Sequence, residues 1–228
     1  MEIDFTSKIK ALDVDKTFYE ETREELSQYA NHDFKLLKID FNKVPIINPP
    51  KNSSISTKEE LSYIKSFQEQ WKPSKAVLKK CDDKPNGVIT DFHDRVYGQD
   101  LSKAYEIEGV MEDVNIFVMK IKMLYKRARP YQISEHHGID IYYNKKMQKK
   151  GTANTPSYPS GHTISAFLAA RICSYFKPEC EKEFIRLARL VGKSRVKEGV
   201  HFPSDNEYSV LLVDQVLMPA YLNYITNE

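Results

Sequence analysis

The sequence predicts a mainly α, single-domain helical bundle with an irregular N-terminal arm, and three observations predict it. Apolar residues recur at helical spacing through most of the chain beyond residue 55, no stretch alternates with the period of a strand, and prolines crowd the region before that point. With 228 residues, 41% of them hydrophobic, there is material for one substantial core and no need for a second. The expected division is an arm over residues 1–55 and a helical domain over residues 56–228.

The arm is placed by residues 44–50, where Pro45, Pro49 and Pro50 remove backbone donors and fix φ, followed by Asn52, Ser53 and Ser54. The first helix is signalled by Thr57 with Glu60, a capping-box spacing, and continues on Leu61, Ile64, Phe67 and Trp71. A turn at residues 82–87 precedes a short helix carrying Ile89, Phe92 and Val96. Val114, Phe117, Val118, Ile121 and Leu124 make the next stripe, ended by Pro130 because proline disfavours helical geometry in the residue before it. Residues 131–157 are polar, lysine-rich and aperiodic, which reads as a long functional loop. Three further stripes follow: Ile164, Phe167, Leu168 and Ile172; Phe184, Leu187, Ala188 and Val191; and Val210, Val213, Leu217 and Tyr221.

Bulk properties exclude several classes. The 34 basic and 32 acidic residues nearly cancel, so no global field argues for nucleic acid or an anionic membrane as partner. The most apolar stretch, residues 210–225, is interrupted by Asp214, Gln215, Pro219 and Asn223, short of the roughly 20 apolar residues of a membrane span. A soluble protein is expected, cytoplasmic if the native chain begins at Met1, since no secretory signal is visible. Cys81, Cys173 and Cys180 read as buried free thiols, and no zinc spacing occurs. Homo-oligomerisation is compatible with all of this.

Three segments carry the chemistry. In residues 122–130, Lys122 and Arg129 stand seven apart, nearly two helical turns, and would face one side if the helix persisted. A point charge and a planar fork suit a tetrahedral oxyanion. Read alone, with Lys120, Lys126 and Arg127 nearby, the segment reads first as a solvated basic face. In residues 157–163, Ser160 is a good N-cap and Gly161 leaves backbone N–H groups open to an anion at which His162 would point; read alone, the segment is equally an N-cap beside an incidental histidine. In residues 192–205, Arg195, His201 and Asp205 allow a carboxylate to fix a histidine tautomer, or are a surface histidine near a capping aspartate.

Together the segments resemble the phosphatidic acid phosphatase type 2 superfamily, whose pattern is K-x6-RP, PSGH, then SR-x5-H-x3-D. Every fixed position is filled in order: Lys122, Arg129 and Pro130; Pro159, Ser160, Gly161 and His162; Ser194, Arg195, His201 and Asp205. Among the branches the chain looks most like the bacterial class A nonspecific acid phosphatases, over roughly residues 85–220. The resemblance implies that His201 attacks phosphorus, Asp205 orients it and His162 is general acid, with Lys122, Arg129, Ser160, Gly161 and Arg195 as the phosphate pocket. It further implies a metal-independent phosphomonoesterase acting on a small phosphomonoester through a phosphohistidine, able to pass phosphate to an alcohol. No cofactor is implied, except vanadate under the alternative of a haloperoxidase; a non-catalytic phosphate-binding protein is the other alternative. Two departures stand out: the missing export signal, and the lysine-rich residues 145–150. His32, His93, His136 and His137 are expected at the surface.

Overall fold

The structure, a computed structural model, describes residues 14–19, 29–98, 106–145 and 153–227. Its helices are α1 (Ile55–Gln70), α2 (Lys75–Asp83), α3 (Gly87–Tyr97), α4 (Ile107–Tyr125), the single turn α5 (Pro130–Ile133), α6 (Gly161–Phe176), α7 (Glu181–Lys197), α8 (Pro203–Leu212) and α9 (Met218–Thr226). A π-type turn, Val213–Leu217, joins α8 to α9. Among the described residues β structure is limited to one isolated antiparallel bridge, Phe18 to Arg127, and no helix is long and apolar enough to cross a membrane.

Helix α6 is the hub. It packs most extensively on α7 and also touches α3, α4, α8 and α9. The apolar stripe read from the sequence is only part of its buried surface, because Ala166, Ala169, Ala170 and Cys173 are buried too. A helix buried over most of its circumference, with Arg171 and Tyr175 reaching outward, belongs in the middle of a bundle. Its first residue, Gly161, lies so near α4 that an added Cβ would come within 3.3 Å of Val118 Cγ1. The glycine therefore lets two helices approach closely just where the candidate site begins.

The arm is held by buried polar groups. Asp113 on α4 accepts the backbone N–H groups of Lys35, Leu36 and Leu37, each at 2.7 Å, and the hydroxyls of Tyr158 and Tyr208 donate to the carbonyls of Ile47 and Pro45. Those two tyrosine rings stack, with centroids 4.5 Å apart, beneath the site.

Four local expectations are corrected. The first helix is capped by Ser54, which accepts from Thr57 N–H at 3.2 Å, while the Thr57 hydroxyl donates to the Lys51 carbonyl and the Glu60 carboxylate turns elsewhere. Helix α2 begins before the turn expected at residues 82–87: Ser74 caps it by accepting Val77 N–H, and Val77 packs on the core that holds Cys81. Helix α4 ends at Lys126, which adopts a left-handed φ of 48°, so Lys122 and Arg129 do not share one helix. Arg129 is instead the extended residue that starts α5. His93 is not a surface residue: it is fully buried and stacks on Phe184. His32 and His136 are exposed, and His137 bonds the Asn52 carbonyl through Nε2. In the lysine-rich stretch, residues 146–150 lie outside the described residues.

Candidate active site

The three segments meet where the N-termini of α6 and α8 approach the C-terminal ends of α4 and α7. His201 lies in the short link between α7 and α8 and is buried, as are Lys122, Arg129, Ser160, Arg195 and Asp205. Gly199 makes the link possible. Its φ of 71° suits glycine, and a Cβ there would collide with the carbonyl of Tyr142.

The state of His201 follows from its neighbours. Nδ1 lies 3.0 Å from Asp205 Oδ2, and Nε2 lies 3.1 Å from Nη1 of Arg129. A carboxylate only accepts and a guanidinium only donates, so the proton sits on Nδ1 and the lone pair on Nε2. Asp205 is itself held: Oδ2 also accepts Phe202 N–H at 2.9 Å, and Oδ1 accepts Arg127 Nη1 at 2.6 Å. Burial alone would raise the Asp205 carboxyl, but the charge of Arg127 and the hydrogen bond with His201 hold it far below the usual carboxylate range. Burial, and next the charge of Arg129, push His201 well below 6.5 against the pull of Asp205.

His162, in the first turn of α6, has a different carboxylate. Its Nε2 lies 3.1 Å from the backbone carbonyl of Asp82 and 3.5 Å from Asp82 Oδ1, so Nε2 carries a proton. The same Oδ1 accepts Nη1 of Arg195 at 2.7 Å. Burial would raise the Asp82 carboxyl, yet the hydrogen bond from His162 and the charge of Arg195 bring it down to about 2. Burial and Arg195 lower His162 below its ordinary 6.5, opposed by Asp82.

The cations are poised around these groups. Arg129 anchors its Nε and Nη2 on the Thr155 carbonyl and gives Nη1 to the Val200 carbonyl at 2.6 Å. Lys122 donates to the Pro156 carbonyl, and burial together with Arg129 lowers its proton affinity. Arg195 Nη2 is buried with no partner among the described residues, which leaves it free for an anion. Ser160 caps α6 by accepting from Thr163 N–H, and its own N–H donates to Ser209 Oγ at 2.9 Å.

Two residues that contact the candidate site escaped the sequence reading. Arg127 is not part of a solvated face: it is buried, 4.0 Å over the Phe202 ring and paired to Asp205. Its spacing two residues before Arg129 was visible but gave no sign of the direction it points. Asp82 sat in a stretch read as a turn, and nothing local linked it to residues 80 and 113 positions away.

Residues 110–213 match the model of the PAP2 superfamily, and all the motif residues described above lie within that stretch. The similarity to the PAP2 superfamily thus lies in this stretch, a little under half of the chain. Curated relatives named non-specific acid phosphatase include one from Salmonella typhi, 36% identical over 37% of this chain and 32% of that protein. Another, from Providencia stuartii, is 32% identical over 51% of this chain and 46% of that protein. The chain thus spans between about a third and a half of the curated relatives it matches. A transmembrane PAP2 type phosphatidylglycerolphosphate phosphatase from Bacillus subtilis covers 98% of this chain, with 16% identity and a TM-score of 0.38, too low to carry a comparison of folds.

Proposed function

We propose that the PAP2-like stretch, within a helical body over residues 56–228, is a phosphomonoesterase acting in solution on small phosphate esters without a metal ion. The observation that carries this reading is the His201 environment: a lone pair on Nε2 that accepts from Arg129, a guanidinium suited to a phosphoryl oxygen, with a carboxylate behind the ring. In the proposed reaction Nε2 of His201 attacks phosphorus and the bond to the ester oxygen breaks. His162 gives that oxygen a proton, and the alcohol leaves. Asp205 stabilises the imidazolium formed at His201. Water, deprotonated by His162, then cleaves the phosphorus–nitrogen bond and releases orthophosphate; an alcohol in place of water gives phosphotransfer. Lys122, Arg129 and Arg195, with the α6 N-terminus at Ser160 and Gly161, neutralise the equatorial oxygens, the work a metal ion does in other phosphoryl-transfer sites.

The test is hydrolysis of an aryl phosphate by the purified chain in excess chelator, with enzyme denatured in detergent at alkaline pH assayed for labelled phosphohistidine and with vanadate as a competitive inhibitor. Retained turnover and an acid-labile phosphoenzyme are expected. Activity that disappears in chelator and returns with a divalent ion would overturn the metal-free mechanism.

A further inference from the structure

Helix α1 lies outside the stretch that matches the PAP2 family, yet its Glu60 reaches the layer directly behind the histidine–aspartate pair. Glu60 Oε2 accepts Arg127 Nη2 at 3.0 Å, and Oε1 accepts the N–H of Ser204 in the first turn of α8 at 2.7 Å. Arg127 passes the contact on, giving Nη1 to Asp205 Oδ1 at 2.6 Å and to Ser204 Oγ at 2.8 Å. Asp205 in turn holds Nδ1 of His201. Side-chain exposure falls from 14% at Glu60 to 2% at Arg127 and 0% at Asp205, so the chain of contacts runs from the surface to the reacting ring. Two turns further along α1, Gln68 bonds the carbonyls of both Tyr142 and Lys197, which keeps the helix seated against the link that bears His201.

We propose that Glu60 and Arg127 are positioning residues for the nucleophile. Arg127 fixes Asp205 so that one oxygen faces His201, and Glu60 fixes Arg127 and offsets part of the positive charge that Asp205 feels. The consequence for rate rests on the phosphatase reading; the coupling to His201 does not. Removing Arg127 leaves Asp205 with its full charge on the ring, so His201 binds its proton more tightly. Removing the Glu60 charge strengthens Arg127's hold on Asp205, so His201 binds its proton less tightly. The charged groups facing His201 are Arg129, Lys122 and Asp205, and all three remain in both variants. Since the nucleophile must be neutral, the acid limb of the rate profile moves to higher pH in Arg127→Gln and to lower pH in Glu60→Gln.

The experiment measures the leaving-group burst against pH, and the His201 ring titration by NMR, in wild type, Glu60→Gln, Glu60→Asp, Arg127→Gln and the Glu60→Gln/Arg127→Gln double variant. Glu60→Gln should lower the burst rate roughly tenfold at nearly unchanged KM, as a small misplacement of the attacking atom does. Glu60→Asp should recover part of that loss. The double variant should be no slower than Arg127→Gln alone, because Glu60 acts through Arg127. A folded Glu60→Gln with wild-type rate and limb, or losses that multiply in the double variant, would overturn the proposal. If Arg127→Gln fails to fold, the two Glu60 variants, changed at a half-buried position, still decide it through the limb shift. If the wild type hydrolyses no phosphomonoester, the phosphatase reading fails, and the NMR titration still judges the relay: opposite shifts of His201 support it, and absent or parallel shifts refute it.

Discussion

The two histidine–carboxylate pairs of the site are built differently. His201 and Asp205 stand four residues apart across the start of α8, and their side chains are 2% and 0% exposed. His162 and Asp82 come from helices 80 positions apart, and the His162 side chain is 17% exposed. The first pair meets at 3.0 Å with the carboxylate clamped from behind by Arg127; the second meets at 3.5 Å, and its carboxylate is shared with Arg195. A group that forms a bond to phosphorus has to be held in one place and one tautomer, whereas a group that delivers a proton has to reach leaving groups of varied shape and then water. The tight, dry pair suits the nucleophile and the looser, wetter pair suits the acid.

That contrast is broken most directly at the nucleophile. His201→Ala should abolish the phosphoenzyme and reduce turnover on every substrate by on the order of 10⁶, the scale of losing a covalent nucleophile. Labelled phosphate trapped on this variant would show that the two roles are exchanged. His162→Ala should be selective instead. On an alkyl phosphate, whose leaving group needs a proton, the burst should fall by about 10²- to 10⁴-fold, and on an aryl phosphate by much less. Equal losses on both esters would remove His162 from the role of acid.

The smallest expected effect is at Asp82, and pH reveals it. Both histidines are lowered from 6.5, His201 the further, and the proposed mechanism needs His201 neutral and His162 protonated. Activity is therefore lost as pH falls through the His201 value and as it rises through the His162 value, which puts the optimum on the acid side of neutrality. Asp82→Asn removes the charge that supports protonated His162, so the alkaline limb should move to lower pH, with roughly a tenfold loss just above the optimum and little change below it. An unmoved alkaline limb would separate Asp82 from the acid. An optimum above pH 7 in the wild type would contradict the lowering of the two histidines.

The apolar periods determined most of the helices, because a buried face imposes a 3.6-residue repeat that needs no knowledge of the partner. The motif residues were legible as types at fixed spacing, and His201 with Asp205 as a local pair, because one turn of helix brings residues four apart together. Helix α2 was not legible, because its apolar stripe is a single turn, Val77, Leu78 and Cys81, too short to stand out in a lysine-rich segment. Nor was the fate of Glu60: a carboxylate three residues after a threonine has the signature of a cap, and only the approach of Arg127 and Ser204 from other segments decides that it turns away. The direction of Arg127 and the burial of His93 were set in the same way, by elements distant in sequence. Local pattern records which face of a segment must be buried. Which charges meet there depends on contacts across many tens of residues, and those exist only once the bundle has closed.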